Sequence, residues 1–177
     1  IKEQVAKLTE LTNKLVFLSR MDEESKRATM TDFCISEVVE DAIKPYYAVA
    51  ESKGKKLDAK VEKNVSFKGD TSMIKQLIEL LLDNAIKYSD EEGNIKIELS
   101  ENGKNKKITV SNTTDGVPQG NLDVLFERFY RLESSRNSET GGHGIGLSVA
   151  KAIVDLHKGK ISASSPDGKT IIFTIVF

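Results

Sequence analysis

Cysteine occurs once and tryptophan not at all in these 177 residues. A single thiol excludes a disulfide framework and suits a reducing compartment, and the apolar neighbours of Cys34 make it an expected buried small hydrophobe. No apolar run approaches the ~20 residues needed to cross a bilayer, and the first residues lack the form of a signal or transit peptide. Nor does one sign of charge dominate. The 26 Lys and Arg stand against 27 Asp and Glu, so no overall field points to nucleic acid or an anionic membrane, and nucleic acid is not an expected partner. An initiator methionine is missing too: the chain begins at Ile1 inside an amphipathic pattern and is expected to be part of a longer protein.

What is present fits one domain with a real core plus a modest appendage. Leu8, Leu11, Leu15 and Leu18 follow the three-then-four spacing of a coiled-coil seam, and neither Gly nor Pro interrupts the stretch around them. Such a stripe packs on its own domain or on a second copy; its place at the end of the chain favours a dimerising helix over residues 1–24. Residues 25–31 are polar and unpatterned and read as a linker to a domain at 32–177.

Within that domain, "DFCISEVVEDAIKPYYAVAESKG" predicts a short strand and then a helix, which Pro45 either kinks or starts late. A strand follows around Leu57 to Glu62. "TSMIKQLIELLLDNAIKYS" predicts a strong helix capped by Asp70 or Thr71, with Ile74, Leu77, Ile78, Leu81 and Ala85 on one face. "NIKIELSE" and "KKITVSN" make a hairpin turned at Asn102 and Gly103, and "KISASSPDGKTIIFTIVF" makes another turned at Pro166 to Gly168. Between them, about 113–142 forms a long connection whose one helical candidate is "NLDVLFERFYRLE". Connections of that length are commonly functional or mobile. The helix after the glycines carries Ile145, Val149, Ala152, Ile153 and Leu156 as its apolar face. Hairpins interspersed with helices predict an α+β fold, a two-layer α/β sandwich with helices on one face of a mixed sheet.

The chemistry concentrates in "GGHGIGLSVAK". Gly142, Gly144 and Gly146 alternate just before a helix, whose unpaired N–H groups and positive dipole end suit phosphate. The dinucleotide fingerprint fails, because Leu147 or Val149 stands where its last glycine belongs. "GKT" at Gly168 fails as a P-loop, since it lies in a hairpin turn and Ala163 replaces the leading glycine. On the earlier helix, Asn84, Lys87 and Tyr88 are spaced to converge on one ligand, an amide oxygen for hydrated Mg²⁺ and an ammonium for phosphate. Alone, that trio reads better as a capping or core-bonded Asn and a solvated Lys.

In order, "LLLDNAIKYS", "VSNTTDGVP", "LFERFYRLESSR" and "GGHGIGLSVAKAIVDLHKGKI" resemble the N, G1, F and G2 boxes of the ATP-binding domain of bacterial sensor histidine kinases, across residues 28–177. The resemblance implies a Bergerat-type ATP-binding fold, ATP and Mg²⁺ as cofactors, and transfer of the γ-phosphate to a histidine. It assigns Asn84 to Mg²⁺ and, with Lys87, to catalysis. Lys87 would meet a phosphate, Tyr88 the nucleotide's flank, and Arg131 and Arg136 the phosphates from a lid at about 113–142. Gly142, Gly144 and Gly146, with Ile145 and Leu147, would cradle phosphates, and Gly116 would belong to the base end. Phe126 and Phe129 would anchor the lid in the core.

Two departures stand out. Asn112 occupies the position of the aspartate that accepts from the adenine amino group, and a neutral acceptor weakens that bond by about 1 kcal/mol, several-fold in affinity. Leu80 occupies a position that is Asn in many members and the water-activating Glu in the gyrase and MutL branch. Leucine takes no proton, and Glu79 is turned about 100° away, which argues against a hydrolase. His143 and His157 both lack the surroundings of a phosphoacceptor, and His157 matches a common box histidine that closes a helix C-terminus. The resemblance therefore implies an upstream phosphotransfer helix and a response regulator as partners. It also implies a homodimer, and a cytoplasmic domain within a membrane-anchored parent. An anti-sigma-type serine kinase and a nucleotide-poor interaction module are the alternatives.

Overall fold

The computed structural model describes residues 28–114, 116–127, 130 and 145–177. The stretch 1–24, expected to form a coiled-coil helix, lies outside the described residues, as do Phe129, Arg131, Arg136, Gly142, His143 and Gly144.

The chain runs β1 (Thr31–Cys34), α1 (Ile35–Ser52), β2 (Lys56–Val61), β3 (Ser66–Gly69), α2 (Thr71–Tyr88), β4 (Asn94–Asn102) and β5 (Asn105–Thr113). It continues through β6 (Gly120–Asn121), a 3₁₀ turn (Asp123–Phe126), α3 (Gly146–Leu156), β7 (Lys160–Ser165) and β8 (Thr170–Val176). Six strands form one sheet in the order β2-β4-β5-β8-β7-β6, while β1 and β3 pair separately. β2 runs parallel to β4 and the other neighbours are antiparallel, so the sheet is mixed as expected.

Alternation along the strands decides the layers. Ile95, Ile97 and Leu99 of β4, Ile108 and Val110 of β5, and Ile171, Phe173 and Ile175 of β8 are buried on one face. Lys96, Ser100 and Lys107 face water between them. α2 covers the inner face with Met73, Ile74, Leu77, Ile78, Leu81, Leu82, Ala85 and Ile86, and packs against α1 on one side and α3 on the other. The two-layer α+β sandwich is the observed architecture.

Several local expectations need correction. Cys34 is half-buried at the N-cap of α1, not sunk in the core. Pro45 sits inside α1, ten residues after its start at Ile35, so it does not delay the helix. The first hairpin turns at Gly103 and Lys104, one residue late, because Asn102 still pairs with Asn105. α3 buries Ala150, Ile153 and Val154, a face rotated from the expected one, with Val149 and Leu156 only half-buried at its flanks. Of the helix expected over "NLDVLFERFYRLE", the described residues show a 3₁₀ turn at Asp123–Phe126 followed by an extended Glu127 at φ −68° and ψ 140°; most of the remainder lies outside the described residues. Polar anchors hold that turn instead: Asp123 Oδ1 accepts from the Ala163 N–H at 2.8 Å, and Leu122 N–H donates to Ala163 O at 2.8 Å. Phe126 then meets Phe173 edge to face and is buried in the core, as expected of that side chain.

Candidate functional site

The rotation of α2 fixes its functional residues. With Leu81, Leu82, Ala85 and Ile86 buried, Asn84, Lys87 and Tyr88 fall at the rim of the helix, each half-buried. Lys87 Nζ lies 5.1 Å from the centre of the Tyr88 ring, a cation–π contact that keeps the ammonium at the end of α2. That last turn is gripped from below. Lys55 Nζ donates to Ile86 O and Ser89 O, both at 2.7 Å, supplying partners and positive charge to a helix C-terminus. Burial pushes Lys55 below the ordinary lysine range, with Lys53 acting in the same direction and Asp90 against it.

Beside this turn, Asn112 projects from the inner face of β5, opposite Ile95 of β4. It is only 2% exposed, and its Nδ2 donates to Thr113 O at 2.8 Å. Thr113 in turn donates its hydroxyl to Asp90 Oδ1 and accepts from the Asn94 N–H at 3.0 Å. Asn112 Oδ1 is buried with no hydrogen-bond partner. Leaving such an acceptor unmet costs about 1–3 kcal/mol, which a donor from a bound molecule would recover.

The third part is the start of α3. Ile145 caps it without a side-chain hydrogen bond, so the first amides of the helix have no side-chain cap. Ile145 and Leu147 are half-buried and Gly146 is exposed. A Cβ on Gly146 would lie 3.6 Å from Leu80 Cδ2, which places this helix start against α2, one turn before Asn84. Gly116 has φ +124° with nothing near its missing Cβ, so backbone freedom rather than space explains the glycine. Its neighbours tie it to the β7–β8 turn: Thr114 N–H donates to Lys169 O at 2.8 Å and Val117 N–H to Gly168 O at 2.9 Å.

The arrangement thus brings Asn84, Lys87, Tyr88 and Asn112 to one end of α2 and β5, with Ile145, Gly146 and Leu147 alongside Leu80. His157 stands apart from them. Its Nδ1–H donates to Ile153 O at 2.7 Å and its Nε2 accepts from the Asp70 N–H at 2.9 Å, among the rings of Phe67 and Phe177.

The sequence profile of the histidine kinase-, DNA gyrase B- and HSP90-like ATPases matches residues 69–177, which takes in α2, β5 and α3. The chain belongs to this ATPase family. It is 34% identical to the signal transduction histidine-protein kinase BaeS of Escherichia coli over 172 residues, 95% of this chain and 36% of that protein. It therefore spans about a third of the length of that relative. Acinetobacter baumannii histidine kinase AdeS superposes with a TM-score of 0.71 at 27% identity, covering 99% of this chain and 80% of that one. Histidine kinase ThkA, solved with response regulator protein TrrA, shares the fold at a TM-score of 0.69 and 21% identity, over 94% of this chain and 48% of that chain.

The ATPase domain is of the sensor histidine kinase type, and family membership carries ATP binding with it. Its described residues fit the nucleotide: Asn112 Oδ1 wants a donor, and the start of α3 has amide donors to offer. Among the described residues no cluster of three or more His, Cys, Asp or Glu could hold a metal ion. Lys55, Ser89, Asp90 and Thr113 were missed in the sequence. Ser89 and Thr113 fell inside quoted boxes without being singled out; Lys55 and Asp90 act through contacts between segments far apart in the chain.

Proposed function

We propose that this ATPase domain transfers the γ-phosphate of ATP to a histidine on an upstream phosphotransfer helix outside the present sequence, for relay to a response-regulator aspartate. The observation that supports this reading is the nearness of Gly146 to Leu80, whose Cδ2 would lie 3.6 Å from a Cβ at that glycine, which sets an uncapped helix start beside the Asn84 helix. Phosphoryl transfer needs positioned charge and exclusion of water more than covalent help from the protein. Amides at Gly142, Gly144, Ile145, Gly146 and Leu147 hold the phosphates, and Lys87, Arg131 and Arg136 offset their charge. Asn84 would hold Mg²⁺, which supplies further charge neutralisation on the phosphate oxygens when bound. Tyr88 flanks the nucleotide, Asn112 accepts from the adenine amino group and Gly116 turns the chain beside it. Leu80 offers attacking water no base, and the segment at about 113–142, whose Phe126 is buried in the core, would serve as the lid.

The same proposal extends to the whole protein. The sensor kinases it resembles and the kinase–regulator complex that shares its fold support a response-regulator partner; a dimer through residues 1–24 and a cytoplasmic placement in a membrane-anchored parent belong to the same proposal. Among the described residues no helix is long and apolar enough to cross a membrane.

Calorimetric titration with ATP and Mg²⁺ tests the site: the wild type binds and Asn84→Ala loses the Mg²⁺-dependent part. Labelled ATP is expected to leave no acid-labile phosphate on this chain, and an added upstream helix to accept it. Phosphate on His143 or His157 would overturn the assignment of the acceptor.

A further inference from the structure

Two side-chain atoms of the described residues are buried without a hydrogen-bond partner, Ser89 Oγ and Asn112 Oδ1. They come from different elements yet belong to one end of the fold. Ser89 caps the C-terminus of α2 and precedes Asp90; Asn112 precedes Thr113; and the Thr113 hydroxyl donates to Asp90 Oδ1. Ser89 is 9% exposed and Asn112 2%. Native interiors leave few such groups unmet, and each calls for a physical reason.

Their chemistry narrows what can meet them. The bond from Asn112 Nδ2 to Thr113 O sets the amide's orientation, so Oδ1 is held as an acceptor and cannot exchange roles with the amino group. The Ser89 hydroxyl is free to donate, because the backbone of Ser89 is already occupied: its N–H bonds Ala85 O and its carbonyl receives Lys55 Nζ. One acceptor and one donor match a base that presents an amino group next to a bare ring nitrogen. Adenine does so on either side of its amino group, whereas guanine carries a carbonyl oxygen at that position.

We infer that Ser89 is a specificity-determining residue of the base subsite, donating to a ring nitrogen of adenine while Asn112 Oδ1 accepts from the amino group. The inference rests on the ATP reading above and adds a second side chain to it, one outside the family boxes' assigned contacts.

Ser89→Ala separates this role from a structural one, because removing an unmet buried hydroxyl leaves the ligand-free fold as stable or more so. The expected result is a melting temperature unchanged or raised together with ATP affinity lowered about three- to tenfold. Titrating both proteins with 1-deaza- and 7-deaza-ATP is expected to give one analogue that binds wild type and variant equally, which identifies the ring nitrogen. GTP is expected to bind the wild type more weakly than ATP. Equal ATP affinity in the two proteins overturns the inference, as does a melting temperature lowered without loss of affinity, the mark of a hydroxyl that serves the fold or a trapped water. If both deaza analogues still distinguish the proteins, the hydroxyl does not reach the ring and the assignment falls. A wild type that binds none of these nucleotides overturns the ATP reading itself, and the inference with it.

Discussion

Asp70 shows how much a single side chain settles. Its carboxylate accepts from the Met73 N–H at 3.0 Å and the Thr29 N–H at 2.7 Å, so it caps α2 and ties the entering chain to it. Asp70→Ala is expected to cost about 1 kcal/mol in chemical denaturation. Burial raises its pKa, but the backbone donors of Thr29, Met73 and Ser72 and the neighbouring His157 outweigh that and leave it lowered. A lowered folded value means that this stability is fully present above the unfolded value near ~3.9 and is lost as pH falls through the folded one. Denaturation midpoints at pH 5 and pH 3 are expected to show a larger acid loss in wild type than in Asp70→Ala. The sequence left the cap open between Asp70 and Thr71, because both residue types suit the position and only the extended backbone of Asp70 and its bond from the Met73 N–H tell them apart. Asn112 was singled out for a different reason: a short box around it carries the resemblance, and the structure adds that its Oδ1 is buried without a partner among the described residues.

At the scale of elements, legibility followed periodicity. The pattern of α2 repeats over eighteen residues and was read correctly, while β3 and β6, with four and two residues, carry too few alternations to register. α3 was read with its buried face misplaced, because Leu147, Val149, Ala150, Ala152, Ile153, Val154 and Leu156 leave several apolar stripes to choose from. The contact with α2 and the sheet selects one of them. Lys55 was illegible on any pattern, yet it holds the end of the element that carries the site. Lys55→Met is expected to cost about 1–2 kcal/mol and to speed amide exchange at Ser89, whose N–H closes the last turn on Ala85. The junction between β3 and α2 is tighter still. A Cβ on Gly69 would come within 2.6 Å of Phe67 Cε1 and 2.7 Å of His157 Cδ2, so Gly69→Ala is expected to cost about 1–3 kcal/mol in the same denaturation assay.

For the whole molecule, the layer arrangement was legible and the strand order was not. Alternating strands and amphipathic helices specify which faces meet, but nothing local says that β8 lies between β5 and β7 or that β2 joins β4 in parallel. The site draws on α2, β5 and α3 together, so a nucleotide that occupies it links the core's main elements. ATP with Mg²⁺ at about 100 times its dissociation constant is expected to stabilise the domain by about 2.7 kcal/mol, and Asn84→Ala to show no Mg²⁺-dependent rise in melting temperature. The bond from Asp70 N–H to His157 Nε2 also sets the mechanics of the molecule. It pins the last turn of α3 to the first turn of α2, leaving the Gly146 end at the tip of a lever ~16 Å long. A tilt of about 5° at the pin moves that tip about 1.4 Å, enough to spoil alignment for transfer. Crowding at Gly69, which bears on the His157 ring, is therefore expected to displace the far end of α3 without touching it.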